Sequence, residues 1–271
     1  MVMAVSHENL INRSLGGLFL PFRPKLTRCA AQLLGFPQRI GAKVLDNVSF
    51  NGFGPDVVLL EEGTSEILVV IETKLHAAAQ ATTLATVQNT PPRLGDERAT
   101  AVHDAVTDPA YRVVGGKANA QGIKPEGVWQ IDAYYGWKWW DNDFPQLSMA
   151  SDAQFICLTL EGGEAAGKYR GAASAAHWCA MSLVALVFGL NRELRREQED
   201  GFVPDESGVF TQDEKDAIAV LTFLVYTHEG GECASPRDWV DALERSDGRG
   251  ERAQPSSSTP KPDTTVRSSA R

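Results

Sequence analysis

Apolar and polar positions change period several times along the chain, and each change marks an element. Leu10, Ile11, Leu15, Leu18 and Phe19 fall near helical spacing, which predicts an amphipathic helix over residues 6–20, with Ser6 as its N-cap and Glu8 in its first turn. Phe22-Arg23-Pro24 ends it, because proline disfavours helical geometry in the residue before it. A short helix is predicted at 27–34, then three extended segments at 43–50, 56–61 and 66–73. The first alternates, whereas Val57-Val58-Leu59-Leu60 and Ile67-Leu68-Val69-Val70-Ile71 are continuous and rich in β-branched residues, as in strands covered on both faces. Glu62-Gly63-Thr64-Ser65 between them reads as a hairpin turn.

The second half is predicted to be mainly helical. An Ala-rich stretch at 76–87 reads as helix and Pro91-Pro92 stops it. Residues 88–126 are mixed and read as an insertion holding one helix at 96–106. Trp129, Ala133 and Trp137, four apart, predict a helix over 127–140. A buried strand is expected at 154–160, and two long helices at 173–199 and 212–227, the second opened by a Thr211/Glu214 capping box. Beyond 246 Ser, Pro, Arg and Asp dominate, so residues 246–271 are expected to be a disordered tail. The outcome is one α/β domain over 1–245 whose last part, 172–245, is helical.

Composition narrows the function classes. A chain of 271 residues with 43% hydrophobic content suits one main domain. Cys29, Cys157, Cys179 and Cys233 are far apart, with no CxxC pair and no His at zinc spacing, and read as reduced thiols in a cytoplasmic protein. The first twenty residues do not have the layout of a secretory signal. Residues 172–190 carry no Asp, Glu, Lys or Arg, but Ala, Ser, Gly189 and His177 dilute them, so a buried helix is expected and no membrane partner. A net charge of -9 argues against holding nucleic acid by bulk electrostatics. Residues 1–50 depart from that trend: Arg13, Arg23, Lys25, Arg28, Arg39 and Lys43 stand against Glu8 and Asp46.

The hairpin carries the chemistry. With its turn centred on Thr64, residue 56 falls opposite residue 72, and opposed residues project to one face. Glu72 and Lys74, two apart on one strand, share that face. Asp56, Glu72 and Lys74 then meet at one end of the sheet, where charges beside a core are costly unless paired or metal-bound. A hard divalent cation would relieve the conflict, and Mg²⁺ takes one or two carboxylates while keeping several waters. On spacing alone, Glu72 and Lys74 read equally as a solvated strand end, with Asp56 following Pro55 in a turn.

Gly54-Pro55-Asp56, followed sixteen residues later by Glu72-Thr73-Lys74 at the end of an apolar strand, resembles the signature of the PD-(D/E)XK nuclease superfamily. His7-Glu8-Asn9-Leu10 resembles the Glu-bearing first motif of the branch that begins with a Glu-Asn pair. Gln130-Ile131-Asp132-Ala133-Tyr134 resembles the QxxxY motif of the RecB-related branch. The matches span about residues 7–134 in the family's order, and the departure is a long step from Lys74 to Gln130. The resemblance implies a mixed central sheet flanked by helices, a restriction-endonuclease-like core.

It also implies roles. Asp56 and Glu72 would ligate Mg²⁺, with Mn²⁺ as a substitute, and the Thr73 backbone carbonyl would be a third ligand. Lys74 would orient or help deprotonate the attacking water. Glu8 would hold the metal through water or orient Lys74, and Gln130 with Tyr134 would position a strand or brace the site. The substrate would be nucleic acid, DNA rather than RNA by family analogy alone. The alternative is a catalytically silent nuclease-fold protein that binds nucleic acid or another protein. Outside the family, Glu8 reads as a dipole-compensating surface residue and Gln130/Tyr134 as a bonded pair one turn apart. Trp129 and Trp137 read as core, Trp139 and Trp140 as outward-facing aromatics, and His7 and His76 as structural or exposed. Strand polarity, specificity, cleavage mode, pathway and oligomeric state are not legible.

Overall fold

The order of strands in the central sheet follows from how its connections are made. The computed structural model describes residues 7–36, 43–46, 54–61, 63–75, 81–84, 87, 92–93, 95–114, 121–123, 126–138, 147–161, 169, 171–206, 208–228, 233 and 235–250. Strands β1 (Lys43–Asp46), β2 (Val57–Leu60) and β3 (Glu66–Thr73) form an antiparallel meander. β7 (Ser148–Thr159) and β8 (Trp178–Ser182) then add parallel to β3, which gives a five-stranded mixed sheet in the order β1-β2-β3-β7-β8. A small antiparallel sheet, β4 (Ala81–Thr83), β6 (Glu126–Trp129) and β5 (Val113–Val114), packs to one side, with β6 in the middle.

Alternate residues of the central strands supply two cores. Val57, Leu59, Ile71, Ile156 and Leu158 face α1 (His7–Gly17), α2 (Pro24–Leu33), α5 (Leu183–Arg196), α6 (Gln212–His228) and α7 (Pro236–Gly250). Val58, Leu60, Val70 and Phe155 face α3 (Glu97–Thr107) and α4 (Gln130–Gly136). The sheet is therefore covered on both faces, which is why its middle strands carry unbroken apolar runs. Gly189 lets α5 lie close on α2: a Cβ there would sit 2.5 Å from Leu33 Cδ2.

Several expectations meet their elements closely. α3 starts at Glu97 with Asp96 as N-cap, its carboxylate accepting from the Arg98 and Ala99 amides. The Thr211/Glu214 capping box closes, with Thr211 N donating to Glu214 Oε2 at 2.8 Å. Glu214 also accepts from the Leu26 amide at 2.9 Å, locking α6 to α2.

Others need correction. Pro24 opens α2 as its N1 residue, earlier than the expected helix start, because its fixed φ suits the first helical turn. Of the helix expected at 76–87, Ala81–Thr83 is a strand instead, where Thr82 and Thr83 favour extended backbone and pair with β6, while Leu84 and Val87 are helical; residues 76–80 and 85–86 lie outside the described residues. The helix expected over 127–140 holds for Gln130–Gly136 alone, since Glu126–Trp129 is strand β6 between β4 and β5.

The helix expected from 173 begins at Leu183: a 3-10 turn (Ala175–His177) and edge strand β8 come first, and the Ser182 hydroxyl accepts from the Ala185 amide to start α5. β7 runs from Ser148, longer than the expected strand. α7 was not expected, and it carries helix through 246–250, where a disordered tail was anticipated; Ser235 caps it by accepting from the Asp238 amide at 3.2 Å. Residues 251–271, 47–50 and 139–146, and with them Trp139 and Trp140, lie outside the described residues, as does His76. No helix among the described residues is long and apolar enough to cross a membrane.

Candidate metal centre

The register of one hairpin assembles the cluster. Val57 pairs with Ile71, Val58 with Val70 and Leu59 with Val69, and the ladder shifts by one residue at Leu60, next to the turn. The next rung sets Asp56 beside Glu72, on the face that Val58 and Val70 share with α4. Asp56 then turns toward β3: its Oδ2 accepts from the Thr73 amide at 2.7 Å. Lys74 Nζ lies 2.5 Å from Glu72 Oε1, and both side chains are almost completely buried.

Such burial is costly for charges, and the titration of the group reflects it. Burial, and secondly the charge of Asp56, push the Glu72 carboxyl up to about 8 against the pull of Lys74. Burial also lifts Asp56, to about 6, although Lys74 and the Thr73 amide favour its ionised form. Burial works against the Lys74 ammonium, but the Glu72 and Asp56 carboxylates outweigh it and raise its pKa. Glu72 Oε2 is buried with no hydrogen-bond partner. An orphaned carboxylate oxygen beside a second carboxyl is the arrangement that a hard cation satisfies.

Glu8, in the first turn of α1, acts by its charge on Asp56, Glu72 and Lys74 alike. His7 is turned away, its Nε2 2.8 Å from the Leu224 carbonyl and its ring against His228. Tyr134, fully buried on α4, donates its hydroxyl to the Gly54 carbonyl at 2.6 Å, and the Gln130 amide donates to that hydroxyl. Tyr134 thus clamps the Gly54-Pro55 segment that delivers Asp56. Burial first, then the nearby Glu72 and Asp56, lift the phenol well above its ordinary range. Gln130 joins the cluster through Tyr134, and its Oε1 is buried without a partner.

Asp132 was not singled out as functional by the sequence, and the structure gives it a structural task. Nearly fully buried, it accepts from the Ser174 amide at 2.7 Å, the Ser174 hydroxyl at 2.6 Å and the Ala173 amide at 3.2 Å, holding the turn before β8. A carboxylate inside Gln130-Ile131-Asp132-Ala133-Tyr134-Tyr135, an apolar and aromatic run, is the signal that could have found it. Trp137 is core against His103, and Trp129 is half-buried against Tyr169. The basic excess of residues 1–50 is partly spent within the fold: Arg23 pairs with Asp213 at 2.6 Å and Lys25 with Asp205 at 3.1 Å.

The donor set fits a hydrated Mg²⁺ better than a fully protein-bound ion. Among the described residues no group of three or more His, Cys, Asp and Glu side chains is placed to hold a metal. Two carboxylates with water in the remaining positions is the arrangement Mg²⁺ commonly accepts. The chain matches no protein-family model, no curated protein and no solved structure.

Proposed function

We propose that the chain is a Mg²⁺-dependent nuclease of the PD-(D/E)XK type, hydrolysing phosphodiester bonds in DNA. One observation carries the reading: Asp56, Glu72 and Lys74 converge at the end of a mixed sheet flanked by helices, and Glu72 keeps a buried oxygen without a partner. Asp56, Glu72 and the Thr73 carbonyl would hold the ion, which supplies Lewis-acid polarisation of the phosphate and a more acidic water. Lys74 would orient the attacking water and stabilise charge on the phosphate oxygens. Attack in line on phosphorus forms one P–O bond as the bond to the leaving sugar oxygen breaks. Tyr134 and Gln130 act as positioning residues through Gly54, and Glu8 biases Lys74 by its charge. Mn²⁺ would substitute for Mg²⁺, and the choice of DNA over RNA rests on family analogy.

A second reading draws on the burial of the Glu72–Lys74 pair, which would also suit a structural ion pair in a catalytically silent nuclease-fold protein that binds nucleic acid or a protein partner. Incubating the full chain with plasmid and single-stranded DNA separates the two. The nuclease reading expects cleavage in Mn²⁺ or Mg²⁺, none with EDTA, and none from Asp56→Ala. No cleavage by the parent in either metal would support the silent protein.

A further inference from the structure

A cavity of about 820 Å³ lies apart from the Asp56 cluster, none of whose residues lines it. Its walls take in Arg93, Tyr135, Phe155 and Met149, and the start of β7 at Ser148 pairs with Glu66, at the far end of β3 from Glu72. Six residues of strand separate those ends, roughly 20 Å at about 3.3 Å per residue. The volume falls in the range of small-molecule sites.

Arg93 marks this cavity as built for a ligand. Its side chain is 5% exposed and has Asp96 and the Tyr135 phenol as polar neighbours, yet neither they nor any other group among the described residues makes a well-formed hydrogen bond to Nε, Nη1 or Nη2. Asp96 forms a long ion pair that occupies the fork only in part: its Oδ1 caps α3 and its Oδ2 stands 3.4 Å from Arg93 Nη2. The guanidinium instead lies over the rings of Tyr135 and Phe155, at 4.8 and 5.5 Å from their centroids, which fixes its plane. A buried guanidinium with unmet donors costs the fold free energy unless an acceptor reaches it, and its forked donors match a phosphate or carboxylate. Among the described residues of the lining the charges are mixed: Arg98 and Lys138 line the cavity, but so do Asp96 and Glu97. That near balance disfavours a polyanion and leaves directional bonding to one oxyanion, while Tyr135, Phe155, Leu147 and Met149 offer an apolar surface.

We infer that the Arg93 cavity binds a small aromatic oxyanion, its phosphate or carboxylate held by the Arg93 fork and its ring by the apolar wall. Isothermal titration of the full chain with phenyl phosphate, benzoate and neutral benzyl alcohol tests this and distinguishes the two anionic groups. At least one charged probe is expected to bind saturably below about 1 mM, with benzyl alcohol about tenfold or more weaker. Arg93→Lys keeps the charge but loses the fork, and should weaken binding about tenfold. Should that variant fail to fold by circular dichroism, Ser151→Trp decides, because Ser151 is an exposed residue of the lining and an indole there obstructs the cavity without touching Arg93. Loss of binding in Ser151→Trp supports the site. The inference is overturned if neither charged probe saturates by about 10 mM, if benzyl alcohol binds as well as they do, or if folded Arg93→Lys or Ser151→Trp binds like the parent.

Discussion

Tyr134 and Gly54, eighty residues apart in sequence, are joined by a hydrogen bond of 2.6 Å from phenol to carbonyl. That bond ties helix α4 to the two residues before Asp56. Tyr134→Phe keeps the ring in its packing but leaves the Gly54 carbonyl and the Gln130 amide without this partner. We expect a loss of about 1–3 kcal/mol in denaturant unfolding. On the nuclease reading, kcat should also fall while the fold persists. A variant as stable and as active as the parent would remove Tyr134 from the positioning role.

Glu72→Gln should separate stability from metal response. Burial and Asp56 hold the Glu72 carboxyl up to about 8, so its ionised form is disfavoured in the fold and a neutral amide is tolerated there. The expected change in unfolding free energy is within about 1 kcal/mol, and on the metal-site reading the rise in Tm that Mn²⁺ should give the parent is lost in the variant. Persistence of that stabilisation in Glu72→Gln would exclude Glu72 as a ligand.

The pH dependence has a definite sign. Asp56, lifted to about 6, and Glu72, lifted to about 8, both hold protons in the folded state at pH values where the unfolded chain has released them. Their contribution to stability is full below the ordinary carboxylate range and is lost as pH rises through about 6 and then about 8. A divalent cation binds the ionised forms, so the rise in Tm produced by MgCl₂ should grow from about pH 5.5 to about pH 8.5. An increment that is flat or falls over this range would contradict a site made of these two carboxylates.

Asp132→Ala tests the turn before β8. The carboxylate accepts from Ser174 and Ala173, and removal strands the buried Ser174 amide and hydroxyl. A cost of about 2–4 kcal/mol is expected in chemical denaturation, with amide exchange rising first at 172–182. A cost below about 0.5 kcal/mol would show that the turn holds without it.

What the sequence disclosed follows the range of the interactions involved. The β2–β3 register is set by a local turn and by strands buried at every position but Glu66, so the pairing of Val57 with Ile71 was legible from spacing, and with it the meeting of Asp56 and Glu72. The Thr211/Glu214 box was equally local. Strand β8 was not legible: Trp178–Ser182 has no charge and flows into helix α5, and its pairing with β7 is decided twenty residues away. β6 was hidden because Trp129, Ala133 and Trp137 match a helical period although Trp129 ends a strand. Tyr134 could be tied to the cluster by resemblance alone, since no local pattern points to Gly54. Arg93 carried no sequence signal at all; its buried, incompletely bonded fork is a property of the packed fold.

The most direct test is anomalous diffraction from crystals soaked in Mn²⁺. A peak is expected roughly 2.1 Å from a carboxylate oxygen of Asp56 and one of Glu72, absent in Asp56→Ala crystals. Ordered side chains at this site with no peak between them, or Mn²⁺ bound elsewhere and not there, would contradict this metal site.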